Sequence, residues 1–203
     1  MGTMIKLLGK IPKGKFYVAC SGGVDSMVAL AFLKAGGHDC KALFINHNTD
    51  TSASANKFLM DTLEGDFYAE QIPQTKPAKM SWEEFWREER YKLFHSFEQP
   101  IVTAHHLDDQ VETWLMGAIH GQPKLIPYRN RNVVRPFMLN TKSDLLLYAE
   151  TKFVPWLEDD TNMNYDHARN KVRHEIIPEV MEINPGIHKV IAKKVRLLTS
   201  GEK

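Results

Sequence analysis

Five apolar residues, Phe16-Tyr17-Val18-Ala19-Cys20, run straight into Ser21-Gly22-Gly23-Val24-Asp25-Ser26, after which Met27, Val28, Leu30, Ala31 and Leu33 recur at helical spacing up to Gly36-Gly37. A short, dense apolar run that ends in a glycine pair suits a buried strand better than a helix segment. The spacing therefore predicts a strand, a tight loop and a helix in immediate succession. The first backbone N–H groups of such a helix have no intrahelical partner, and with the helix dipole they favour an anion. Glycine lets that backbone come close to a phosphate. The string is neither the G-x-x-x-x-G-K-[ST] of a Walker loop nor the G-x-G-x-x-G of dinucleotide binders. Its plain alternative is a strand-to-helix turn capped by Ser21 or Asp25.

The alternation continues along the chain. Further strands are expected at 42–46, 67–72 and 101–104, and helices at 52–63, 81–97 and 108–120, where Ser81 followed by Glu84 is a capping-box signature. Strands separated by helices at this spacing call for right-handed crossovers and a sheet covered on both faces. The expected fold class is α/β, a doubly wound parallel sheet. Beyond it Pro123, Pro127 and Pro136, with residues 129–132, predict a loop or hairpin, and helices return near 141–152, 167–182 and 187–199. We expect a catalytic domain over 1–136 and a small C-terminal helical extension over 137–203, packed on the same domain.

At 203 residues and 43% hydrophobic, the chain can bury one sizeable core but not three domains. Its formal charge of +1 conceals an uneven distribution, because residues 167–203 hold eight Lys and Arg against four Glu. A basic helical face attracts a phosphate backbone, and a merely solvated face is the other reading. Cys20 and Cys40 fit neither a zinc site nor a Cys-x-x-Cys pair, and both are expected in the core. No apolar run reaches the length of a membrane span, so no membrane association and a cytoplasmic setting are expected.

His105-His106-Leu107-Asp108-Asp109-Gln110-Val111-Glu112-Thr113 falls at the C-terminal end of the fourth strand, where open α/β sheets bind ligands. With a helix starting near Asp108, Asp109 and Glu112 stand at i, i+3 on one face. Such carboxylates suit Mg²⁺, which takes one or two of them together with phosphates and water. His105 is close enough to serve as donor or acid/base group. Acidic residues at a helix start also complement the dipole, which is an even alternative for Asp108.

Ser-Gly-Gly-x-Asp-Ser after the first strand resembles the pyrophosphate loop of the ATP-pyrophosphatase superfamily. His-x-x-Asp-Asp-Gln-x-Glu-Thr resembles the matching segment of the tRNA(Ile)-lysidine synthases. Arg87-Glu88-Glu89-Arg90-Tyr91 is similar to that family's Arg-x-x-Arg-Tyr, while Trp156-Leu157-Glu158-Asp159-Asp160-Thr161-Asn162 and Arg169-Asn170-Lys171-Val172-Arg173 are similar to its later elements. The resemblance implies an adenine nucleotide alpha hydrolase-like fold and a two-step reaction. The C2 oxygen of the wobble cytosine of tRNA(Ile) with a CAU anticodon attacks the α-phosphate of ATP, and the ε-amine of L-lysine then displaces AMP. It implies that Ser21, Gly22, Gly23, Asp25 and Ser26 hold ATP, that Asp25 and Asp109 hold Mg²⁺, and that Arg87 or Arg90 faces the triphosphate or the adenylated base. Within the same frame His105 handles a proton and Glu112 helps hold the lysine ammonium. Arg169, Asn170 and Arg173 either contact tRNA phosphates or pair with Glu158, Asp159 or Asp160. Arg87 and Arg90 have a bland alternative as helix-surface partners of Glu83, Glu84, Glu88 or Glu89.

The chain departs from that family in two places. Phe44-Ile45-Asn46-His47-Asn48-Thr49-Asp50 stands where the family shows a His-x-Asp-His-Gly-Leu-Arg type of run, so contacts from that stretch do not carry over. Family members also continue into domains that grip the tRNA. That leaves weak binding, another RNA, a homodimer or partner supplying those domains, or an excised catalytic domain. The competing functions are a tRNA thiolase, which generally carries the Cys-x-x-Cys this sequence lacks, an amide-forming synthetase, and a non-catalytic nucleotide- or tRNA-binding module.

Overall fold

The computed structural model describes residues 5–158 and 168–201. Six strands, β1 (Phe16–Ala19), β2 (Cys40–Asn46), β3 (Phe67–Gln71), β4 (Ile101–Val102), β5 (Arg129–Asn130) and β6 (Val133–Val134), form one sheet in the order β3-β2-β1-β4-β6-β5. All neighbours are parallel except the β5–β6 hairpin. The sequence expectation of a doubly wound parallel sheet holds, and of the loop or hairpin expected where the prolines cluster the structure has the hairpin.

Side-chain alternation explains why both faces are covered. Phe16, Val18, Ala42 and Phe44 pack into one core with α1 (Val24–Ala35), α2 (Asp50–Thr62) and α5 (Lys142–Lys152). The intervening Tyr17, Ala19, Leu43 and Ile45 face a second core with Phe94, Tyr91 and Trp86 of α3 (Trp82–Ser96). A period of two with both sets apolar is what a sheet between helix layers requires. A third core joins α4 (Leu107–Ile119) to Val172, Ile177, Ile187, Ile191 and Val195. These belong to a C-terminal run made of α6 (Ala168–Lys171), a π-helical segment (Val172–Ile176), α7 (Ile177–Ile183) and α8 (Ile187–Gly201).

The strand order fixes where a ligand can enter. β1 pairs with β2 on one side and with β4 on the other, so the chain reverses its winding direction between β1 and β4. A crevice opens at such a switch point beyond the C-terminal ends of the strands. The loop after β1 and the loop after β4 both emerge there.

Candidate active site

The glycine loop is built for an open helix start. Gly22 has φ +87°, a conformation that strains any residue with a Cβ, and its carbonyl accepts from Leu157 N–H at 2.9 Å. Gly23 is the N-cap of α1 and offers no side chain, so the first-turn N–H groups are left for a ligand. Neither Ser21 nor Asp25 caps the helix. Ser26 Oγ instead donates to Gly23 O at 2.9 Å and accepts from Ser21 N–H at 3.2 Å, which holds the turn in shape from inside.

Across the switch point, α4 begins with its own brace. His106 N–H donates to Asp109 Oδ2 at 2.9 Å, so that oxygen stabilises the helix start, while Oδ1 lies 3.7 Å from Arg173 Nη2. The imidazole of His106 is buried between the two segments, with Nε2 3.7 Å from Asp25 Oδ2 and 3.6 Å from Asp109 Oδ2. Asp25 and Asp109 therefore both approach the same imidazole nitrogen. Ser21, Gly23, Asp25, Ser26, His105 and Asp109 all line a single cavity of about 730 Å³, within the size range of nucleotide-scale ligand sites.

Arg87 and Arg90 reach the same cavity from α3. Among the described residues neither has a carboxylate within ion-pair distance, and Glu89 is taken by Lys92, so the helix-surface alternative does not account for them. Arg87 lies over the Tyr91 ring at 5.5 Å. Burial lowers the Arg90 pKa, with Arg87 and Arg169 nearby adding to the effect. The run from the end of β2 into α2, which departs from the family pattern, also lines the cavity through Phe44, Ile45, His47 and Asp50.

The two adjacent histidines differ in electrostatic fate. Burial pushes His105 down to about 3 against the pull of Asp109, and Arg135, Arg90 and His106 reinforce the drop. Its Nδ1 shares a 2.8 Å hydrogen bond with Thr103 Oγ1. His105 is thus neutral at physiological pH. Burial alone would lower His106 as well, but Asp108, Asp109 and Asp25 outweigh it and hold its pKa above the ordinary histidine value.

Three expected site residues sit deeper than the motif suggests. Glu112 is 1% exposed and does not line the cavity; Arg169 Nε bonds its Oε1 and Arg173 Nε its Oε2, the latter at 2.9 Å. Arg173 also comes within 3.7 Å of Asp109 Oδ1. Both arginines thus turn inward onto α4 carboxylates, with Arg169 also bordering the cavity. Asn170, between them, is half-buried. Glu158 borders the cavity, whereas Asp159, Asp160, Thr161 and Asn162 lie outside the described residues.

Sequence reasoning missed His106, Lys142 and the role of Asp108. Lys142 Nζ is 2.8 Å from both carboxylate oxygens of Asp25. Asp108 accepts the Lys142 backbone N–H at 2.7 Å and meets His188 Nε2 at 3.1 Å, tying α4 to α5 and α8. That second hydrogen bond favours the structural alternative for Asp108. One signal was available: a lysine in the first turn of a helix opposes the dipole and calls for a nearby anion.

A glycine loop and an acidic helix start facing each other at the switch point of a parallel sheet define an α/β protein built to hold a polyanion. The PP-loop domain family matches residues 2–180, and the chain belongs to that family. It is similar to the tRNA(Ile)-lysidine synthase of Francisella philomiragia, 32% identical over a 197-residue alignment that covers 89% of this chain and 49% of that protein. The tRNA(Ile)-lysidine synthase of Bacteroides thetaiotaomicron is 31% identical over 87% of the chain and 46% of its own length. The chain thus spans about half the length of these relatives. Among solved structures, the U34-tRNA thiolase NcsA from Methanococcus maripaludis shares the fold, with a TM-score of 0.69 at 18% identity, covering 93% of this chain and 72% of that one.

Proposed function

We propose that this chain carries out ATP-dependent conversion of the wobble cytidine of tRNA(Ile) with a CAU anticodon to lysidine. The observation that carries the reading is the meeting of Asp25 and Asp109 on either side of His106, in the cavity that also holds the open N-terminus of α1. The names borne by the relatives supply the substrate; the geometry supplies the plausibility of the chemistry.

A pyrimidine C2 oxygen is a poor leaving group and AMP a good one, so adenylation before amine attack lowers the barrier to replacement. In the proposed arrangement the glycine loop and the α1 N-terminus cradle the triphosphate, and Arg87 and Arg90 face the charge that develops as the α-phosphate is attacked. His105 is assigned to proton handling; burial keeps it neutral but weakly basic, so it accepts a proton only after the amine has begun to bond to C2 and its N–H has become acidic. Glu112 holds Arg169 and Arg173, so a lysine ammonium must displace a guanidinium to reach it. Arg169, Asn170 and Arg173 are assigned to tRNA contact, Arg169 from the cavity edge, with both arginines anchored on Glu112.

Magnesium fits the donors present. Among the described residues no three His, Cys, Asp or Glu side chains are grouped to enclose a metal. Asp25 and Asp109 offer the one or two carboxylates that Mg²⁺ takes when phosphates and waters complete its shell. Bound there, the ion would neutralise phosphate charge. Sulfur transfer is the weaker reading, because Cys20, though bordering the cavity, has its thiol pKa raised by burial, and Cys40 is buried too.

We further assign the protein to the cytoplasm, acting alone or with a homodimer or partner contributing tRNA contacts; no described helix is long and apolar enough to cross a membrane. The test is incubation with ATP, labelled lysine and unmodified tRNA(Ile) bearing CAU. Label should enter the RNA, and Asp25→Asn or Asp109→Asn should abolish its entry while the fold survives. ATP turnover without any RNA dependence would reject the assignment.

A further inference from the structure

Lys142 does not itself line the cavity, but it is the cation bound to the Asp25 carboxylate at its edge, and the proposed reaction leaves it unused. It occupies the first position of α5, the end of a helix least suited to a cation, with its ammonium on both oxygens of Asp25. Its backbone is fixed from two sides. Asp108 accepts its N–H, and the reciprocal cap between Thr141 and Asp144 holds the turn at 2.8 and 3.1 Å. The side chain, by contrast, is 42% exposed and is held by Asp25. A pair this open contributes little to stability, so stability does not explain a cation placed against the dipole.

Position does explain it. Asp25 lies in the first turn of α1, immediately behind the glycine loop, so the ammonium stands beside the N–H groups that await an anion. Arg87 and Arg90 come from α3, a different element from the α5 that carries Lys142. A flexible four-carbon stem on a fixed backbone suits a point charge that follows a phosphate.

We propose that Lys142 is a phosphate-contacting residue of the nucleotide site, which leaves Asp25 for a β- or γ-phosphate oxygen when a metal triphosphate enters. The driving force is electrostatic: a divalent cation on Asp25 repels the ammonium while the phosphates add negative charge within its reach. The inference rests on the reading that a triphosphate binds the glycine loop.

Calorimetric titration of the intact chain with ATP, pyrophosphate and AMP, each with Mg²⁺, tests it on wild type, Lys142→Met and Lys142→Arg. Lys142→Met should bind ATP and pyrophosphate about tenfold more weakly or worse, as expected for loss of a charge-assisted contact, and AMP within about twofold of wild type. Lys142→Arg should recover most of the loss. Unchanged ATP and pyrophosphate affinity in Lys142→Met would overturn the inference and leave Lys142 as a counter-ion of Asp25. An equal loss for all three ligands would overturn it too, by pointing to a distorted loop. If wild type binds none of them, the nucleotide reading itself fails, a result that no variant could mimic.

Discussion

His47 and His105 carry low pKa values for the same reason, burial, and this gives the protein a defined acid sensitivity. His47 is pushed down to about 4, with Arg90 adding to burial, and His105 to about 3. A histidine whose folded pKa lies below its unfolded value of about 6.5 binds fewer protons when folded, so falling pH favours the unfolded chain. The contribution is intact above about pH 6.5 and is lost on the way down. His106 works in the opposite sense, since its raised pKa adds stability at low pH that is lost as pH rises through the folded value. The depressed carboxylates Asp108 and Asp109 act lower, below the ordinary carboxylate range. Thermal unfolding between pH 6.5 and 5 should therefore show a falling midpoint in wild type and a shallower fall in His47→Gln; parallel curves would contradict the assignment. At this scale the sequence was legible where function is written in contiguous residues. Asp25, Asp109, His105 and the glycine loop stand in two short strings. Lys142 was not legible because its partner lies 117 positions away, and the Arg169 and Arg173 pairs with Glu112 span 57 and 61.

Among the elements, the short strands β1 to β4 were readable because apolar runs with flanking glycine or proline leave few alternatives. Others escaped for physical reasons. β5 and β6 have two residues each, too few for a period to show, so the sequence left a loop and a hairpin as alternatives there and the structure has the hairpin. α2 begins at Asp50 instead of near position 52 because Thr49 caps it, accepting from Ser52 N–H at 3.1 Å. The expected helix over 167–182 contains the π-helical turn 172–176, which local spacing cannot reveal. That turn matters, as wide turns of this kind often mark functional sites, and here it carries Arg173 onto the carboxylate that Arg169 also grips. Removing the shared anion should loosen both. Glu112→Gln is expected to cost about 2–3 kcal/mol, at or just below the usual range for breaking a buried pair because each arginine keeps over a third of its side chain in solvent. Hydrogen exchange should accelerate across 168–176 and stay slow in β1 and β2. Uniform acceleration would mean that Glu112 supports the whole core. At the α5 start, Thr141→Ala deletes the acceptor for Asp144 N–H and should cost about 1 kcal/mol, read as a lowered unfolding midpoint.

Taken whole, the chain buries its glycine-loop half and its C-terminal helices in common cores, and its cooperativity follows from that. Phe137, Leu145 and Ala149 are fully buried in the core that contains Leu30 and Leu33 of α1. Val111 and Leu115 of α4 share the third core with Ile187, Ile191 and Val195 of α8. Asp108 adds a polar tie, joining α4 to α5 and α8 within hydrogen-bond reach of the site. We propose on this basis that residues 1–136 and 137–203 fold as one unit, although their composition divides them. Each fully buried large apolar side chain is worth about 1.5–3 kcal/mol. Stripping the partners from two cores removes several such contributions at once, a loss comparable with the roughly 5–15 kcal/mol net stability of a whole domain. A fragment ending at residue 136 should accordingly show no cooperative thermal or denaturant transition, whereas the intact chain should show one transition by both fluorescence and far-ultraviolet dichroism. Two separated transitions in the intact chain, or a fragment that melts cooperatively, would make the helical run an independent attachment. In that case Asp108 would bridge two separately stable bodies, and removing it would alter the nucleotide site without lowering the main unfolding midpoint.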